Sequence, residues 1–236
     1  MISHVMLKNF LLSQKDLDKN SAIDTLIEQS SPNREFFLQV LFSILMASFG
    51  LMTNSVAVII GSMLIAPVLY PVIGIGMGLI MYDLKLTLRS LTTLGKSLAI
   101  AILASFLIGL FWSNSFYLSN SEITERITPS LIHAVIAIIA GLAGTYALVR
   151  PNLNVNLPAV AISVSLVPPI AVTGLGISKF DWPTVTGSLG LFLVNALGII
   201  FSSMFMFAIM NFQTKRKTAD KAIKKEDASL KKESSM

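Results

Sequence analysis

The sequence predicts an all-α protein: a polytopic transmembrane helix bundle of six spans, arranged as 3+3 inverted repeats, with the second and fifth spans broken at prolines. Three observations lead there. Charge is sparse and segregated. Only 13% of residues are Asp, Glu, Lys or Arg, against about 25% in ordinary soluble domains, and ten of them lie between Phe36 and Asn211. Apolar runs recur in a chain whose mean hydropathy is +0.72, and about 20 apolar residues suffice to cross the hydrocarbon as a helix. Two of those runs carry clusters of proline and glycine that a plain helix would not.

Residues 1–35 form a polar leader of mixed charge. Val5, Leu7, Phe10 and Leu11, then Ile23, Leu26 and Ile27, recur at helical spacing. They predict two short amphipathic helices, either lying on the membrane surface or packed loosely under the bundle. Ser31 and Pro32 read as the N-cap and first residue of the helix that follows. The first span is expected over 36–52.

The second, 54–81, has 28 uncharged residues. Pro67 and Pro71 lack an N–H, and each ring clashes with the carbonyl four residues back, so the carbonyls of Met63 and Pro67 lose their helical partners. Gly74, Gly76 and Gly78 loosen the backbone further. Two half-helices joined near mid-membrane are expected, and irregular backbone at that depth must be buried in protein or line a wet cavity.

The third span is expected over 86–112, with Trp112 as an interfacial anchor and Lys96 close enough to one face to snorkel. A polar loop, 113–130, precedes the fourth span at 131–149. There Ala137, Ala140, Gly141 and Gly144 make a small-residue face suited to close packing, within the chain or in a homo-oligomer. The fifth span, 155–178, is interrupted at Pro168 and Pro169, which orphan the carbonyls of Val164 and Ser165. Asp181 is placed as the N-cap of the sixth span, 184–210. The transmembrane domain is thus 36–211, with repeat halves 36–112 and 131–210. The tail, 212–236, has eight Lys or Arg against four acidic residues and reads as disordered or as a surface helix.

Sliding the chain by 98 residues superimposes Gly76, Gly78, Tyr82 and Asp83 on Gly174, Gly176, Phe180 and Asp181. In the same register Asn54 meets Asn152, Pro71 meets Pro169 and Ser90 meets Ser188. Each half is then span, broken span, span, and an odd number of spans inverts the second half. With both termini cytoplasmic, Lys85, Arg89, Arg150, Lys215, Arg216 and Lys217 fall inside, and only Arg126 and Lys179 mark the outer loops. That agrees with the positive-inside rule; re-entrant proline segments would put Lys85 and Arg89 outside.

The string Gly61-x-Met63-Leu64-x-x-Pro67-x-x-x-Pro71-x-x-Gly74-x-Gly76-x-Gly78, followed by Asp83, resembles the prokaryotic "uncharacterised hydrophobic domain" membrane family, the domain of unknown function 389. Arg150-Pro151, Pro158, Leu166-Val-Pro-Pro169 and Gly174-x-Gly176 are similar to its second signature. The resemblance covers roughly residues 36–210 and implies a bacterial or archaeal inner-membrane protein. It implies no activity. Longer members carry a folded soluble N-terminal region, for which the 35-residue leader is too short.

The composition argues against enzymology. There are two histidines, no cysteine and no carboxylate within the spans, so neither a catalytic set, a metal site nor a cofactor is expected. The basic excess reads as an orientation signal rather than a nucleic-acid site. His133 reads as an interfacial histidine or a pore-mouth group. Asp83 and Asp181 read as helix caps or gates at opposite faces. The expected partners are membrane lipids and a small ion or solute. Broken helices in inverted repeats are the design of many secondary transporters, whose site lies at mid-membrane. The candidate site residues on that view are Ser62, Met63, Pro67, Pro71, Ser163, Val164, Ser165, Pro168, Pro169, Thr173 and Asn195. The alternative is a scaffold, assembly partner or lipid-handling protein whose prolines only kink helices for packing.

Overall fold

The computed structural model describes residues 18–112, 120–150 and 166–233. Every regular element among the described residues is helical. The elements are α1 (Lys19–Gln29), α2 (Arg34–Met52), α3 (Val56–Ile65), α4 (Leu69–Ile80), α5 (Leu84–Phe111), the one-turn α6 (Ser121–Thr124), α7 (Leu131–Val149), α8 (Val167–Ser178), α9 (Trp182–Ile209) and α10 (Arg216–Glu233). Helices α2, α5, α7 and α9 are each long and apolar enough to cross a membrane, and the bent pair α3–α4 makes a fifth if it counts as one span. This is consistent with a membrane-embedded protein.

Contacts sort the chain into two poles at the ends of α5, whose 28 residues span about 42 Å at 1.5 Å per residue. At one pole the Asp83 carboxylate caps α5, accepting the N–H groups of Lys85 and Leu86 at 3.0 and 3.1 Å. The same pole holds the Arg89–Asp227 ion pair and the bond from the Asp18 N–H to the Val149 carbonyl. At the other pole Lys179 Nζ reaches the Trp112 carbonyl at 3.2 Å. There too the Asn120 amide donates to the carbonyls of Leu51 and Met52. The α3–α4 pair starts beside the end of α2 and finishes beside the start of α5, so it runs from pole to pole. Lys85, Arg89 and Lys215 gather at the Asp83 pole.

Helices α4 and α8 form the centre and are buried along almost their whole length. They have 12 residues each, α5 and α9 have 28 each, and α2 and α7 have 19 each. Both bounds of α8 and α9 lie 98 residues beyond those of α4 and α5. The turn between them recurs as well. Tyr82 and Phe180 are left-handed with φ of 54° and 55°. The N–H of Asp83 returns to the Gly78 carbonyl at 2.9 Å, and that of Asp181 to the Gly176 carbonyl at 3.0 Å. This bond pattern closes a helix whose next residue is left-handed.

The cross-contacts are exchanged. A Cβ on Gly76 of α4 would come within 3.0 Å of the Ile200 carbonyl of α9; one on Gly174 of α8 would come within 2.6 Å of the Ile102 carbonyl of α5. Glycine is required at these close approaches.

Several expectations need correction. The N-cap of α2 is Asn33, whose Oδ1 accepts the Phe36 N–H at 2.7 Å. Ser31 instead closes α1, donating its hydroxyl to the Ile27 carbonyl at 2.8 Å. The second amphipathic stretch of the leader is α1, and it is no loose surface helix: Ile23, Leu26 and Ile27 are wholly buried. The first stretch lies outside the described residues. The tail is the helix α10, with Ala219 and Ile223 buried. The small face of α7, by contrast, packs closely within the chain, as expected, with Gly141 on Ile199 and Ser202 and Ala137 on Gly198 of α9.

Candidate functional site

Helices α3 and α4 meet at 51°. The cause is local. The residue before a proline is driven out of the helical region by the ring, and Ala66 sits at φ −74°, ψ 120°, which ends α3 at Ile65. The carbonyls freed there find partners. Ser43 Oγ of α2 donates to the Ser62 carbonyl at 2.7 Å, and the Tyr70 N–H donates to the Pro67 carbonyl at 3.3 Å. The Pro67 carbonyl thus has no partner four residues on, and accepts instead within the tight turn that opens α4. Ser62 Oγ donates to the Ile59 carbonyl at 2.6 Å, and Met63 is buried. The space beside the break is about 10 Å³, lined by Val40, Ser43, Ala66, Val68, Ser97 and Ile170 among others.

In the second half Pro168 and Pro169 stand in the first turn of α8. A missing N–H costs little there; these prolines start a helix and do not interrupt the described part of one. Ser163, Val164, Ser165 and the remainder of the expected fifth span before Leu166 lie outside the described residues. Thr173 Oγ1 bonds the Pro169 carbonyl at 2.9 Å and shares a hydrogen bond with Ser188 Oγ at 2.8 Å.

A cavity of about 150 Å³ lies against Pro169 and Asn195. Its other described lining residues are Glu125, Arg126, His133, Ile136 and Leu191. Asn195, 3% exposed, is 13 residues into α9, about 20 Å from its start and hence about half-way between the poles. The cavity thus runs from the 120–130 segment at the Asp181 pole to mid-depth. Arg126 is held by Glu122, with its guanidinium 2.8 Å from the carboxylate. His133 Nδ1 and Ser130 Oγ are 2.7 Å apart. At this cavity the structure brings together Pro169 and Asn195 from the predicted set; Ser62, Met63 and Pro67 stand apart at the α3–α4 break, and Pro71 lies in the first turn of α4.

Sequence reasoning missed Glu125, Arg126 and Leu191. Arg126 carried a usable signal as the sole basic residue of the 113–130 loop. Leu191 carried none, because nothing in its neighbourhood marks an inward face.

Asp83 and Asp181 both cap. Asp181 accepts the Thr184 N–H at 3.4 Å and its hydroxyl at 2.8 Å. They cannot act together, being at opposite poles. Among the described residues no group of three or more His, Asp or Glu side chains could hold a metal. At the Asp83 pole Lys19 sits 5.8 Å from the Phe212 ring centroid. Desolvation, then the charge of Lys215, lowers its pKa below the usual lysine value.

A family model described as Domain of unknown function (DUF389) matches residues 63–201. The chain is similar to "Uncharacterized protein MJ0678" of Methanocaldococcus jannaschii, 34% identical over 176 residues, which cover 75% of this chain and 54% of that protein. The chain spans about half the length of that curated relative. No solved structure matches.

Proposed function

The chain belongs to the family described as Domain of unknown function (DUF389), and we propose that it is a transporter- or channel-like membrane protein for a small ion or solute. The proposed frame is six spans in two inverted halves, with both termini on the cytoplasmic side of a prokaryotic inner membrane. The single observation that carries the reading is the cavity that reaches mid-depth at Pro169 and Asn195. Support for inverted halves comes from the matched lengths of α2–α4–α5 and α7–α8–α9, and from the exchanged contacts of Gly76 and Gly174. The gathering of Lys85, Arg89 and Lys215 at one pole supports the orientation. The reading gives the chain no enzymatic role. In it Asp83 and Asp181 are caps rather than gates.

One observation favours the alternative, a scaffold or lipid-handling protein: the α3–α4 break is tightly packed, and its Ser62 and Pro67 carbonyls are bonded. Flux separates the two. Purified protein in liposomes should pass at least one of glycerol, urea, potassium or chloride faster than empty liposomes, and Asn195→Leu should reduce that flux at least tenfold. Wild-type liposomes as tight as empty ones to all four would put the scaffold reading first.

A further inference from the structure

The two halves are alike in register but unlike in openness. The cavity residues Pro169, Leu191 and Asn195 have counterparts 98 residues earlier in Pro71, Thr93 and Ser97. On the first-half side Ser97 lines a space of about 10 Å³. Ser90 and Thr93 are each 0% exposed, and neither hydroxyl has a hydrogen-bond partner among the described residues. Leaving two hydroxyls dry and unbonded on one face of α5 is unfavourable. A state in which that face is wet would relieve it. In the second half the counterpart of Ser90 has partners: Ser188 Oγ lies 2.8 Å from Thr173 Oγ1 and 2.7 Å from the Thr184 carbonyl.

Deeper in, this face is packed by α2 and α8; toward the Asp83 pole it is reached by α1. Leu26 approaches the position of a Cβ on Gly74 to 4.0 Å, and Ser90 Oγ lies 2.5 Å from the same point. Leu26 of α1 and Ser90 of α5 therefore both border one bare stretch of α4. Helix α1 is tied down by α10 and by Arg89, which donates to Ser31 Oγ at 3.0 Å and pairs with Asp227. The second half has in this place the single turn α6.

We infer that Pro71, Ser90, Thr93 and Ser97 form the closed counterpart of the open cavity, a second half-site for a small uncharged polar solute, and that α1 is its gate at the Asp83 pole. This rests on the transport reading above. The solute class follows from the lining. At mid-depth the described residues of the two half-sites offer hydroxyls and one amide and no carboxylate, lysine or arginine, so they can match hydrogen bonds but not neutralise a charge.

The chain has no native cysteine, so single cysteines report cleanly. Thr93→Cys is placed in the full chain in sealed vesicles and treated with a membrane-impermeant maleimide, from each side in turn. Three backgrounds are compared: wild type, Leu26→Ser and the milder Arg89→Gln. The expected result is slow reaction from the tail side only, at least tenfold faster in either loosened background. No reaction in any background, equal rates in all three, or reaction from the opposite side would overturn the gate. Flux through the unaltered chain, measured in parallel, keeps the two readings apart: flux there with unreactive Thr93→Cys removes the gate and leaves transport, whereas absence of flux from the unaltered chain removes transport itself. Glycerol or urea flux without potassium or chloride flux is expected, and the reverse selectivity would overturn the solute class.

Discussion

Gly174 shows how much one missing Cβ decides. The residue sits where α8 crosses α5, and a methyl group there would meet the Ile102 carbonyl at 2.6 Å and the Phe106 nitrogen at 2.9 Å. Backbone cannot rotate away as a side chain can, so the helices must part. Overpacking of this kind costs about 1–3 kcal/mol, and Gly174→Ala should lower the thermal midpoint in detergent. Gly95 is the internal control. Nothing lies within 4 Å of its added Cβ, and alanine is about 1 kcal/mol better than glycine in a helix interior, so Gly95→Ala should hold or raise the midpoint. Equal effects of the two substitutions would refute the close crossing. The two glycines look alike in a single sequence, because both sit in apolar helical runs; the 98-residue match with Gly76 was the signal that separated them.

Among the elements, those set by hydrophobic length were readable in advance, and those set by tertiary partners were not. Helix α7 has the expected bounds, Leu131–Val149, because a polar loop and Arg150 bracket an apolar run. The start of α2 was misplaced by two residues because Ser31 and Asn33 are both good caps, and only the packing of α1 commits Ser31 to Ile27. The tail takes one of its two expected forms, a helix, but its buried face was not foreseen, for a related reason. Its Ala219 and Ile223 are too few to announce a core helix, yet α1 offers them a buried surface.

Two predictions follow for these elements. Truncation after Ala222 removes Ile223 and Asp227, and should lower thermal stability; Asp227→Asn should reproduce only part of that loss. A truncated chain as stable as the full one would show α10 to be dispensable. For the bent pair, Pro67→Ala frees Ala66 from its extended conformation and permits continuous helix from Val56. A proline in a helix interior costs about 3 kcal/mol, so the variant should become more stable in detergent while losing flux. A variant that keeps both its stability and its flux would make the bend a packing device.

For the whole molecule, the all-α class, the membrane character and the family were readable from charge segregation and the proline–glycine strings. The cavity was not. Its lining converges from the 120–130 segment, α7, α8 and α9, and no local pattern encodes that meeting. The asymmetry between an open half and a packed half was equally invisible, since the sequence repeat makes the halves look equivalent. Among the described residues α1 reaches the packed half near Gly74, and the single turn α6 stands before α7 in the other.

The central claim is that these halves are inverted in the membrane, and the paired turns test it most directly. Tyr82 and Phe180 occupy matching left-handed positions and are 81% and 79% exposed. Tyr82→Cys and Phe180→Cys, each alone in the cysteine-free chain, should be labelled in intact cells and in inverted vesicles with an impermeant thiol reagent. The account predicts that Tyr82→Cys reacts only from the cytoplasmic side and Phe180→Cys only from the outer side. Labelling of both from the same side would contradict it.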